Sequence, residues 1–128
     1  MASILFDTNI LLDIILRRPE AEAAYSSLAS AILKGDTLYV SANSMPDIFY
    51  VVRKAASKET AAAAVDTIMS FMKIADVTAG DIRNAAASGM PDFEDAVIAS
   101  VAQRIGADHI VTRNVKDFAD SPVRAVHP

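Results

Sequence analysis

The chain has 128 residues, 52% of them hydrophobic, which suits one domain whose core needs no covalent staples. It contains no cysteine, so disulfides and thiolate metal sites are excluded, and any metal must be held by oxygen or imidazole. A formal net charge of −4 argues against indiscriminate nucleic-acid binding through a basic surface, but not against a nucleic-acid enzyme whose acids surround a metal.

Ser3–Asp7 reads as a short buried strand, an apolar run ending at a polar residue. Thr8–Leu16 turns into a short helix. Pro19 opens a helix to about Leu33, with Ala21, Tyr25, Leu28 and Ile32 as its core stripe and Gly35 after its end. Thr37–Val40 is the second strand. Ser44 is positioned as the N-cap of a helix through Ala56, with Ile48, Val51, Val52 and Ala55 on one face. Ser57 starts another helix to about Phe71, and Lys73–Val77 is the third strand. Thr78-x-x-Asp81 has the pattern of a capping box opening a short helix. Pro91 opens a helix to Ile105 that stops at Gly106, with Val97, Ile98, Val101 and Ile105 as its stripe. His109–Thr112 is the fourth strand and Val123–Val126 the fifth. Short strands alternating with helices predict an α/β fold, a single domain over residues 1–128 built on a mainly parallel sheet of four to five strands.

No apolar run is long enough to cross a bilayer. Asp7 and Asp13 interrupt the apolar start, and no basic segment precedes it, so a signal peptide is not expected. A soluble, cytoplasmic protein is the expectation.

In open α/β sheets, sites form outside the carboxyl ends of the strands. Asp7 closes the first strand, Asp47 lies in the first helical turn after the second, and Asp117 follows the fourth by a short loop. Those three point to one rim. Asp92 and Asp95 sit in the first turns of the helix before strand four, where the chain pattern gives less guidance. Several acids within a few ångströms repel one another unless a cation is present, and a hard divalent cation such as Mg²⁺ or Mn²⁺ takes oxygen ligands. Each acid also has a plainer reading. Asp7 can start a turn, Asp47 can pair with Ser44 in a cap, Asp92 and Asp95 can face the positive end of a helix, and Asp117 can be solvated.

Three segments carry a family resemblance. FDTNILLD, from Phe6 to Asp13, resembles the opening motif of PIN domains. SANSMPDIFYVV resembles the segment bearing their second acid, and EDAVIASVAQRIGADHIVTRNVKDF, from Glu94 to Phe118, resembles their closing half. The resemblance spans essentially the whole chain. It implies a three-layer α/β/α fold and Mg²⁺- or Mn²⁺-dependent cleavage of RNA. It also implies kinship with small toxins of the VapC type, which pair with an antitoxin protein and form homodimers. By position, Asp7, Asp95 and Asp117 match the first, third and fourth family acids. Asp47 stands where many members carry glutamate, and Asp92 is an extra ligand or a supporting acid. Asn9 and Thr112 match polar positions that orient the first acid or bound water, and Asn114 is placed to do the same. Candidate phosphate contacts are Arg113, Lys116 and Arg53, each of which is otherwise an ordinary surface cation.

Three other functions remain open on the sequence. One is an aspartyl-nucleophile phosphatase, which Asn9 disfavours because such enzymes use a second Asp there. Another is a PIN fold kept as a binding or interaction module. The third is a housekeeping RNA-processing nuclease.

Overall fold

A computed structural model describes residues 1–128. Five strands, β1 (Ser3–Phe6), β2 (Thr37–Ser41), β3 (Lys73–Ala75), β4 (His109–Val111) and β5 (Ala125–Val126), form one sheet. Every pairing is parallel and the order is β3-β2-β1-β4-β5. Six helices connect them: α1 (Thr8–Ile15), α2 (Ala21–Leu33), α3 (Ser44–Ala55), α4 (Lys58–Phe71), α5 (Ala79–Ala87) and α6 (Phe93–Arg104). No helix is long and apolar enough to cross a membrane.

The strand period of two builds the layers. Ile4 and Phe6 of β1 enter one core with Leu38 and Val40 of β2, beneath α1 to α4. Leu5, between them, enters the opposite core with Ile110 of β4, beneath α5 and α6. The result is a three-layer α/β/α sandwich. Strand order reverses between β1 and β4, so the crevice favoured for ligands lies at the carboxyl ends of those two strands.

Two cores claim different helix faces than the sequence stripes suggest. On α2 the buried residues are Ala24, Leu28 and Ala31, whereas Tyr25 and Ile32 are exposed. Small side chains let α2 approach the sheet, and the larger ones are turned outward. On α3 the buried face is Ser44, Ile48 and Val52, with Val51 and Ala55 on the open side. On α6 every residue from Ala96 to Ala102 is buried, because the sheet and α5 cover it from two sides.

Caps also shift. Ser44 is not an N-cap: it is the first residue of α3, buried, with its hydroxyl 2.6 Å from that of Thr8. Asn43 occupies the cap position without capping, because its side chain accepts a hydrogen bond from Ser41. Asp92 rather than Pro91 starts α6, its carboxylate accepting from the Asp95 amide at 2.9 Å. The Thr78–Asp81 capping box forms as expected. Asp81 also accepts from Ser100 at 2.9 Å and pairs with Arg104 at 3.0 Å, joining α5 to α6. Burial alone would raise its pKa, but hydrogen bonds from Thr78, Arg104 and Ser100 outweigh this and hold it below the usual carboxylate range.

Three helices, α1, α2 and α6, end in the same way. The amide of the second residue past the cap bonds back to a carbonyl five residues earlier: Arg18 to Asp13, Asp36 to Ala31, and Ala107 to Ala102. The left-handed residue that this motif requires is Gly35 after α2 and Gly106 after α6, but Arg17 after α1, at φ 52°. A β-carbon in that region is strained. Arg17→Gly is therefore expected to stabilise the protein by about 0.5–1 kcal/mol, the gain being tempered by glycine's freedom in the unfolded chain. Urea unfolding followed by circular dichroism measures it, and a variant no more stable than the parent would remove the strain argument.

Candidate active site

A cavity of about 390 Å³ opens at the carboxyl end of the sheet, beside the β1/β4 reversal. Asp7, Asp47, Asp92, Asp95 and Asp117 all line it, together with Asn9 and Asn114. The topology explains the gathering. In a sheet of parallel strands all strand ends share one rim, the helix that follows a strand starts there, and α6, which leads directly into β4, runs back from the same rim. Asp7 follows β1, Asp47 is in the first turn of α3, Asp92 and Asp95 begin α6, and Asp117 is in a 3-10 turn (Val115–Phe118) after β4.

Asp7 is the most deeply held. It is buried and caps α1, accepting from the Thr8 amide at 2.8 Å and from the Thr112 hydroxyl at 2.9 Å. Thr112 is fully buried and does not line the cavity; it acts on the site through Asp7 and by accepting from the Asn114 amide at 3.1 Å. Arg53 and Lys116 are exposed and lie outside the cavity lining. Arg113 also lies outside it, with its guanidinium paired to Asp13 at 2.7 Å.

Sequence reasoning missed Glu94, which lines the cavity from the start of α6. Its signal was its place beside Asp95 and two residues after Asp92 in an acid-rich helix start. Tyr50, Val51, Leu12 and Ile98 form the apolar part of the wall. Tyr50 sits three residues after Asp47 on α3, a spacing that marks a shared helix face.

The sequence model of the PIN domain matches residues 3–116. The chain belongs to the PIN-domain family. No curated protein matches it in sequence. Among solved structures, this PIN domain shares its fold with the VapBC2 complex of Rickettsia felis bound to promoter DNA, at a TM-score of 0.78 and 24% identity over 98% of both chains. A toxin–antitoxin complex from Klebsiella pneumoniae gives 0.75 and 24% over 98% of this chain and 97% of the other. The sarcin–ricin-loop-cleaving toxin VapC20 of Mycobacterium tuberculosis gives 0.69 and 16% over 84% of this chain and 86% of the other.

The electrostatics of the PIN-domain cavity are those of crowded acids, with the charge of Arg113 acting on Asp7 from outside the lining. Asp95 is pushed up to about 7, by burial first and then by the charges of Asp7, Asp92, Asp117 and Glu94. Burial raises Asp7 despite the hydrogen bonds from Thr112 and Thr8. Burial, followed by the charges of Asp47 and Asp92, raises Glu94. The protein's three ion pairs use Asp13 and Asp81, so no basic side chain pairs with these acids. No three His, Asp or Glu side chains converge closely enough to form a ready-made metal centre. Mutual repulsion among carboxylates opposes closer approach. All of the acidic donors are hard oxygens, with no histidine in the cavity, a set that suits Mg²⁺ or Mn²⁺ better than softer ions.

Proposed function

We propose that this PIN domain is a divalent-metal-dependent endoribonuclease that hydrolyses RNA phosphodiester bonds, acting in the cytoplasm as the toxin half of a toxin–antitoxin pair. The observation that carries this reading is the single cavity lined by five aspartates and Glu94, none of them in an ion pair with a basic side chain. Kinship of fold with VapBC complexes and with an RNA-cleaving toxin supports the choice of substrate and partner.

Asp7 and Asp95 would hold the principal ion, with Asp117 and Asp47 completing one or two sites and Asp92 available as a further acid. When bound, the ion supplies neutralisation of the phosphate's charge and activation of water. The chain's own residues do the rest. Thr112 fixes the orientation of Asp7 by donating to one of its oxygens. Asn9 and Asn114 present amide groups that can donate to substrate oxygens at the cavity wall. Leu12, Ile98 and Val51 limit water on one side, which strengthens the electrostatic interactions within the cavity. An antitoxin peptide would silence the site by covering it, and homodimerisation is part of the same proposal.

The spacing of the acid oxygens favours one other reading, a PIN fold retained for binding without catalysis. A direct assay separates the two. The purified protein with Mn²⁺ should cut end-labelled single-stranded RNA into discrete fragments, and EDTA should stop the reaction. Intact RNA across structured and unstructured substrates at saturating Mn²⁺ would leave the binding module. For the toxin role, expression of the chain alone should arrest growth. A short reading frame beside its gene, expressed with it, should relieve the arrest.

A further inference from the structure

Asp13 is completely buried in α1, yet it neither lines the cavity nor takes part in the proposed chemistry. Arg113 donates to it twice, from Nε to Oδ2 at 2.7 Å and from Nη2 to Oδ1 at 3.2 Å. We propose that Asp13 and Arg113 are positioning residues that set where Asp117 and Asn114 stand relative to Asp7, and so tune divalent-cation affinity and turnover from outside the cavity. This rests on the reading of the cavity as a cation site.

The segment from Thr112 to Phe118 leaves β4 and carries both Asn114 and Asp117. It is pinned to α1 at two points. Thr112 bonds to Asp7 just before the helix, and Arg113 bonds to Asp13 six residues further along the chain. Between these pins and Asp117 the backbone is closed by local bonds, the Asn114 amide to the Thr112 hydroxyl at 3.1 Å and the Asp117 amide to the Asn114 carbonyl at 2.9 Å. Rotation of the segment about the Thr112 contact would carry Asp117 away from Asp7, and the two-pronged guanidinium contact opposes that rotation. The Oδ1 of Asp13 that takes Arg113 Nη2 also accepts from Arg18 at 3.3 Å, and the same Arg18 nitrogen donates to Asn9, also at 3.3 Å. One buried carboxylate thus ties a cavity residue on α1 to the segment bearing two more.

Stability alone is a poor reason for such a group. A buried ion pair is commonly matched or exceeded in stability by apolar side chains of similar size, because desolvation offsets its attraction. What the pair adds is direction, since the guanidinium fork is rigid and planar.

Arg113→Lys tests this directly. Lysine keeps a positive charge beside Asp13, so the buried carboxylate stays compensated, but the fork is lost. The expected result is a fold intact by circular dichroism and an Mn²⁺ affinity at least 5-fold weaker by titration calorimetry. On RNA, kcat should fall about 10-fold with KM within 2-fold, where a purely structural role would move neither once the protein is folded. The double variant Asp13→Leu/Arg113→Met, which replaces the pair by apolar side chains, should show the same losses and supplies the readout if the lysine variant does not fold. Wild-type Mn²⁺ affinity in a folded variant of either kind overturns the proposal. Calorimetry needs no RNA, so a parent chain that binds Mn²⁺ without cutting RNA would count against the ribonuclease reading and still decide this one.

Discussion

Asp95→Asn is expected to reduce RNA cleavage by about 10²–10³-fold and, at the same time, to make the metal-free protein more stable. The two effects have one cause. Asp95 stands in the field of Asp7, Asp92, Asp117 and Glu94, and burial together with those charges lifts its pKa from 3.8 to about 7. A carboxylate raised in the folded state opposes folding once it is ionised. An amide of the same shape removes that penalty and with it the charge that would hold a cation. Asp95 is only half buried, so solvent screening limits the stability gain to about 1–2 kcal/mol, roughly 3–10 °C in Tm. Thermal unfolding in EDTA at pH 8 and a cleavage assay on the same preparation measure both. Full activity in the variant would reject the role given to Asp95, and an unchanged Tm would show that the acids repel less than their environment indicates.

Mn²⁺ should raise the Tm of the parent strongly at pH 8 and weakly at pH 5. In the metal-free protein, the raised pKa of Asp95 means that the folded state holds more protons than the unfolded state between about 4 and 7. The stability associated with this group is therefore fully present below the unfolded value of 3.8 and is lost as pH rises through about 7. Asp7 and Glu94, also raised, act in the same direction. Above that window Asp95 is ionised, and a cation can replace the missing proton. At a hundredfold excess over its dissociation constant, Mn²⁺ would add about 2.7 kcal/mol, or roughly 8–15 °C. At pH 5 protons compete for the same oxygens and the increment should shrink to a few degrees. An equal Mn²⁺ response at both pH values would mean that the ion binds elsewhere.

The acids are legible in the sequence because chain order and parallel topology are enough to locate them. Asp7 had to lie at a strand end, and Asp47 had to lie in the first turn after the next strand. Asp92 and Asp95 are less legible because their helix leads into a strand and its start depends on a turn that the sequence does not place. Because α6 leads directly into β4 and the sheet is parallel, α6 must run back against the strands and start at the carboxyl rim, whatever turn precedes it. Glu94 escaped notice because an acid in the first turn of a helix is usually accounted for by the helix dipole alone. Arg113 shows the opposite error. A basic residue beside presumed site residues suggests phosphate binding, but its partner Asp13 lies 100 positions away in the chain, beyond the reach of any local pattern.

The three layers came with the family resemblance; by itself, the pattern of residues determined the alternation of strands and helices, the capping box at Thr78 and Asp81, and the rim on which Asp7, Asp47 and Asp117 would sit. These follow from period, turn chemistry and connection order, which are properties of neighbouring residues. Only the tertiary structure decided which face of α2 is buried, why Ser44 bonds to Thr8 instead of capping α3, and that Arg113 serves Asp13. Each of those outcomes depends on which surface packs against which, and packing is settled by side-chain volume and partner geometry across distant segments, not by spacing along the chain.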